Sequence, residues 1–322
     1  MRIVQKFGGS SLADAAGLGR AAGLAAKARE EGAQVIVVVS AMGKTTDALC
    51  ELARSICPTP PAREMDALLS TGELQSAALL AIMLSSLGVP ARSFSGGQAG
   101  IFAGGCHGSA VIDHIDCEKL TPTLEEGTIA VVTGFQALGP DGSVCTLGRG
   151  GSDTSAVALA AAFGAGPCEI YTDVDGIYTA DPRLVEEAVL LPQIDYRDML
   201  RLSLCGSQVL HSPCVKHAME QGLPIRLLSS FRPGPGSLVC RLKDSQRPAL
   251  AGITRDREKS TLSLVGRGVD GELLPRLQRI LAGAGMKIRS LRLQEEQLTL
   301  ELRPEQLPDA VRLLHSALFL EQ

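Results

Sequence analysis

The sequence predicts an α/β fold, a large and mostly parallel sheet covered by helices on both faces, followed by a small ferredoxin-like module. Three observations lead there. Short apolar strands alternate with helical stretches from the first residues onward. The longest apolar runs, such as "VIVVV" at 35–39, are strand-sized and far short of a membrane span. The rhythm then changes at "SSFRPGPGSLVCRLKDSQRP" (229–248), a stretch rich in Pro, Gly, Ser and Arg.

In chain order, "RIVQ" (2–5) and "QVIVVVS" (34–40) read as strands around an alanine-rich helix over about 12–31, which makes a β-α-β unit. A long helical pattern covers about 62–87. Further strands are expected at 90–94, 128–133, 168–173 and 224–228, with helices between them. The boundary is placed near Arg247, giving domains at 1–247 and 248–322. In the second, "STLSLVG" reads as strand, "DGELLPRLQRILAGAG" as helix, "KIRSLRLQ" and "QLTLELR" as strands, "PEQLPDAVRLLHSAL" as helix and "FLEQ" as a last strand. That βαββαβ order belongs to a ferredoxin-like module of 75 residues.

Composition narrows the function classes. The 322 residues are 45% hydrophobic and 20% charged, with a net charge of −4 and scattered basic residues, so the footprint of a nucleic-acid binder is missing. Aromatics are 3% and Trp is absent, which disfavours base stacking. The nine cysteines are odd in number, spread out and without a C-x-x-C pair. They read as free thiols in a reducing compartment. "MRIVQKFGG" lacks a signal-peptide pattern, so the expectation is a cytoplasmic protein with no membrane and no nucleic-acid partner.

Chemistry concentrates in glycine loops at strand ends. "KFGGSS" places Lys6, Gly8, Gly9 and Ser10 where backbone amides can approach a phosphate, although a Gly-Gly pair also makes a plain tight turn. "MGKTT" (42–46) is no P-loop, because the position five before Gly43 is Val38. "GRGGSDTSAVALAAA" sets glycines and Arg149 before a helix, with Ser152 or Asp153 as caps, and a guanidinium beside bare amides suits a carboxylate or phosphate. "YTDVDGIYTADPR" (171–183) puts carboxylates at a strand's C-terminal end, where open α/β sheets bind ligands, and is also turn chemistry.

These blocks, with "VVVSAMGKTTD", "PPAREMDALLSTGE", "SFSGGQAGI" and "PIRLLSSF", resemble the amino acid kinase family, and within it the aspartate kinases, over residues 1–240. The tail resembles the ACT domain that follows the catalytic domain there. The resemblance implies a three-layer αβα sandwich and transfer of the ATP γ-phosphoryl group to the β-carboxylate of L-aspartate, with Mg²⁺ on the phosphates. The product would enter lysine, threonine and methionine synthesis, and the protein would be a homodimer. It assigns Lys6 and Asp153 to catalysis, and Ser40, Thr46, Glu73 and Arg149 to the amino acid. ATP falls to Lys6, the amides of Gly8, Gly9 and Ser10, and Thr172, Asp173, Tyr178, Asp181, Arg183 and Gln208, with no dedicated metal ligand.

Two departures from the family pattern stand out. Gln208, in "GSQVLHSPCV", replaces a lysine that contacts nucleotide phosphates in relatives, which keeps hydrogen bonding but loses a charge. The tail suffices for a single ACT-like module and lacks the "DKPG"-like loop and Gln-Asn pair through which relatives bind effectors. The alternatives are a kinase of another amino acid carboxylate and a catalytically weak regulatory subunit of the same fold.

Overall fold

The computed structural model describes residues 1–320, which divide into two compact units. The first comprises Met1–Asp175 and His217–Gly236; the second comprises Gly176–Lys216 and the chain from Ser237 onward.

In the first unit six parallel strands lie in the order Ile225–Ser229, Cys168–Thr172, Arg2–Phe7, Gln34–Val39, Ile129–Thr133, Ala91–Phe94. The valine-rich central strands are buried on both faces, the condition under which a strand reads as a continuous apolar run. Helix Ala15–Glu30 starts where the Asp14 side chain accepts the Gly17 N–H at 2.7 Å. Its alanines pack with Phe7, Leu12, Val37, Leu80, Leu84 and Val131 in one core.

Helix Ala62–Ser86 is long and apolar enough to cross a membrane by length and composition, which the apolar runs alone did not suggest. Here it buries Asp66, Ser70, Glu73, Ser76, Ala77 and Leu80 inside this unit. A second sheet was not anticipated. Val111–Ile115, Ile101–Gly104, Gln136–Leu138 and Val144–Thr146 form a four-stranded sheet whose short strands sit among glycines that read as loop.

The second unit holds an antiparallel pair (Ile177–Tyr178 with Leu190–Leu191), a parallel pair (Gln193–Asp195 with Ser237–Cys240) and helix Tyr196–Leu204. It also holds an antiparallel sheet ordered Gly252–Asp256, Thr261–Val265, Gln297–Glu301, Ser290–Gln294, with helices Leu273–Gly283 and Leu307–His315. The strand order is ferredoxin-like, but the element order is ββαββα. The strand expected at "FLEQ" is supplied instead by Gly252–Asp256, ahead of the module; Ser316–Leu320 continues helically, and Glu321 and Gln322 lie outside the described residues.

The division also differs from the expected one at residue 247. Ala180 and Val185 share a core with Leu264, Leu298, Leu300 and Leu314, so the 176–216 segment folds with the C-terminal module. Arg247, expected at a linker, is 2% exposed. Its guanidinium reaches Asp198 at 2.6 Å and Glu296 at 2.7 Å, and such burial is tolerated because every charge there is paired.

Candidate functional site

The C-terminal ends of the central strands carry the polar loops of the first unit. Lys6 is the penultimate residue of Arg2–Phe7 and pairs in register with Val38 and Ile170. Its ammonium lies 2.6 Å from Asp153 Oδ1, with both side chains about nine-tenths buried. Asp153 stands in the first turn of helix Gly151–Ala162. Neither it nor Ser152 caps that helix, contrary to expectation: the cap is Gly150, whose φ of 72° lies in the left-handed region, and no side-chain cap bond forms. Both residues are instead buried within the turn.

The Gly8–Gly9–Ser10 loop is held tightly. The Gly8 N–H donates to the Tyr171 carbonyl at 3.2 Å, so the expected three-amide cradle reduces to two. Among the described residues the Gly9 and Ser10 amides make no hydrogen bond. A Cβ on Gly9 would stand 2.7 Å from the Ala41 carbonyl oxygen, so only glycine admits the loop beginning at Ser40 this close. The Gly43 N–H donates to the Gly9 carbonyl at 2.9 Å, and the Ser40 N–H to that of Phe7 at 3.1 Å. Ser11 and Ser230, which sequence reasoning passed over, pin the turn from behind: their hydroxyl oxygens are 2.7 Å apart, and Ser230 Oγ donates to the Thr172 carbonyl at 3.0 Å.

Glu73 sits in helix Ala62–Ser86 and is 3% exposed. Its Oε1 accepts the Ala41 N–H at 2.9 Å; its Oε2 is buried and, among the described residues, has no hydrogen-bond partner. Desolvation pushes its carboxyl up to about 7, partly opposed by the Ala41 amide. Ser40 and Thr46 flank this point and are half-buried, Thr46 in the first turn of helix Thr45–Ile56. The loop joining Ser40 to Glu73 therefore also joins Gly9.

Arg149 is exposed and makes no ion pair among the described residues. The segment leading to it is anchored by Asp66, which sequence reasoning did not single out. Asp66 is 1% exposed and accepts from Thr146 Oγ1 at 2.5 Å, His107 Nδ1 at 2.7 Å and the Gly108 N–H at 3.1 Å. One signal was present: Asp66 and Glu73 are seven residues apart, two turns along one face of the same helix.

Of the residues assigned to the nucleotide, Thr172 and Asp173 close the Cys168–Thr172 strand, with Thr172 Oγ1 donating to Asp173 at 3.1 Å. Tyr178, Asp181, Arg183 and Gln208 belong to the second unit. There Tyr178 pairs with Leu190, Asp181 Oδ1 accepts the Arg183 N–H at 3.0 Å and its Nε at 3.1 Å, and Gln208 is exposed in the loop after helix Tyr196–Leu204.

Comparison with known proteins identifies the family. Residues 1–229 match the model of the amino acid kinase family. The chain is 47% identical to the aspartokinase of Mycobacterium tuberculosis over 268 residues, covering 82% of this chain and 64% of that protein. It is 41% identical to the aspartokinase of Thermus thermophilus over 286 residues, 89% of this chain and 71% of that one. Among solved structures, aspartate kinase from Synechocystis superposes with a TM-score of 0.70 at 30% identity, covering 98% of this chain and 69% of that chain. Aspartokinase III of E. coli, in complex with aspartate and ADP, gives 0.73 at 25% identity, with 94% and 78% covered. The chain thus spans 64% of the length of the mycobacterial relative.

Proposed function

Because the chain belongs to the amino acid kinase family, we propose that it transfers the γ-phosphoryl group of ATP to the β-carboxylate of L-aspartate, giving 4-phospho-L-aspartate and ADP. The observation that carries this reading is the buried, unpartnered Oε2 of Glu73. An acceptor left bare in the interior costs about 1–3 kcal/mol, which a ligand ammonium would relieve. In this reading Glu73 takes the α-ammonium of the substrate, Arg149 takes its α-carboxylate in a two-pronged contact, and Ser40 and Thr46 bond the remainder.

The acceptor carboxylate is ionised at neutral pH, so no general base is required. The demand on the protein is to hold two anions together and to stabilise charge on the moving phosphoryl group. Lys6 supplies a cation for that group, oriented by Asp153 at 2.6 Å, and the Gly9 and Ser10 amides add donors. Thr172 and Asp173, at the end of the Cys168–Thr172 strand in the first unit, serve the nucleotide. Asp153 is committed to Lys6, and a Mg²⁺ ion brought in with ATP would supply charge neutralisation of the phosphates.

We read the protein further as a cytoplasmic homodimer whose product enters lysine, threonine and methionine synthesis; light scattering on the purified chain tests the dimer. The reaction itself is tested by hydroxylamine trapping of the acyl phosphate with L-aspartate, L-glutamate and succinate in parallel. L-aspartate alone should give a strong hydroxamate signal, and succinate, lacking the ammonium, almost none. A second reading, a weakly active regulatory subunit, rests on the neutral Gln208 in its exposed loop. A large gain in turnover in Gln208→Lys would favour it.

A further inference from the structure

Two buried carboxylates share one face of helix Ala62–Ser86, and they differ in one respect. Glu73 keeps an oxygen with no partner among the described residues, whereas Asp66 is filled by the protein's own donors. Those donors come from two separate segments of the chain. Thr146 ends the Val144–Thr146 strand, three residues before Arg149, while His107 and Gly108 lie in the loop between the Ile101–Gly104 and Val111–Ile115 strands. The Ala110 N–H donates to the Thr146 carbonyl at 2.9 Å, so both segments are tied to each other as well as to Asp66. Beyond Thr146 the chain passes through Gly148 and Gly150, both at φ 72°, with Arg149 between them.

An arginine between two such glycines has little local restraint of its own, since glycine backbone gives up more freedom on ordering than any other residue. A bidentate contact nevertheless requires the guanidinium to be placed well. We propose that Asp66 and His107 are positioning residues for Arg149, fixing the base of its turn so that the guanidinium meets the substrate α-carboxylate at a set distance from Glu73. One helix then sets both arms of the amino acid site, Glu73 by contact and Arg149 through the Asp66 hydrogen bonds. His107 reaches Asp66 through Nδ1, and its ring is 28% exposed, so the bond is reachable by mutation without opening the core. This inference rests on the proposed role of Arg149 in binding the substrate.

The test is kinetic and uses the full chain. Asp66→Asn should raise KM for L-aspartate about tenfold, the loss typical of a charge-assisted hydrogen bond, with kcat and KM for ATP within about twofold of the parent. His107→Ala should raise the same KM about fivefold, and His107→Asn, whose amide nitrogen can stand near the Nδ1 position, should restore it. In an Arg149→Ala background Asp66→Asn should add nothing. Equal rises in KM for both substrates, full additivity with Arg149→Ala, or a His107→Asn variant as impaired as His107→Ala would each overturn the assignment. Amide exchange at residues 146–150 should accelerate in Asp66→Asn and His107→Ala and return in His107→Asn. That readout needs no substrate: unchanged exchange overturns the positioning role, whereas a parent protein that phosphorylates no carboxylate overturns the proposed function.

Discussion

Glu73 couples stability, substrate and pH in one side chain. Burial carries its carboxyl from the ordinary 4.5 to about 7. That displacement corresponds to about 3 kcal/mol between the charged and neutral forms in the folded protein. Because the folded-state value is raised, the stability this group contributes is complete below pH 4.5 and is lost as pH rises toward 7 and above. Ligand-free protein should therefore lose about 3 kcal/mol from this source between pH 4.5 and pH 8, and Glu73→Gln should not show that loss. Substrate reverses the sign, because an ammonium on Oε2 favours the ionised form. Saturating L-aspartate should stabilise the protein more at pH 8 than at pH 6 in urea unfolding. In steady-state kinetics, kcat/KM for L-aspartate should climb about tenfold per pH unit up to about pH 7 and level off above it. Titration of the nucleotide phosphates would appear equally in Glu73→Gln, so the difference between the two profiles isolates Glu73. A kcat/KM profile of the same shape in both proteins would refute the reasoning.

Three further outcomes follow from the packing. Lys6→Met should abolish detectable turnover and, by leaving Asp153 buried without its cation, lower stability by about 3–5 kcal/mol in denaturant titration; Lys6→Met/Asp153→Leu should recover most of the stability and none of the activity. Arg247→Ala, which strands the fully buried Asp198 beside Glu296, should cost about 3–5 kcal/mol and lower the melting temperature, with a smaller loss in Arg247→Met/Asp198→Leu. Truncation after Arg247 removes Leu264, Leu298, Leu300 and Leu314 from their contacts with Ala180 and Val185, so the shortened chain should bind a dye that reports exposed apolar surface and precipitate during purification.

What the sequence revealed was local. Lys6 and Asp153 stand 147 positions apart, yet each marks itself, one by a strand running into Gly-Gly and the other by glycines running into a helix, and the fold joins them at 2.6 Å. Arg149 was marked by the glycines around it, whereas Glu73, inside a helical pattern, was assigned only by the family resemblance. Asp66 was not found, because its meaning lies in donors from the end of one three-residue strand and from a glycine-containing loop, which carry no periodic signal. Arg247 was misjudged for a related reason: Pro, Gly and Arg in its neighbourhood describe a linker, and only tertiary pairing with Asp198 and Glu296 turns that stretch into a core. The fourth strand of the C-terminal sheet was looked for at the wrong end, since Gly252–Asp256, GITRD, holds one large apolar residue and so shows no alternation, and strand order is not written in strand content.

Phosphorus NMR of the purified chain mixed with ATP, Mg²⁺ and L-aspartate tests phosphoryl transfer to the carboxylate most directly. An acyl phosphate resonance should grow in step with ADP, absent without L-aspartate and absent in Lys6→Met. ADP appearing with inorganic phosphate alone, or an unchanged ATP spectrum at high protein concentration, would contradict it.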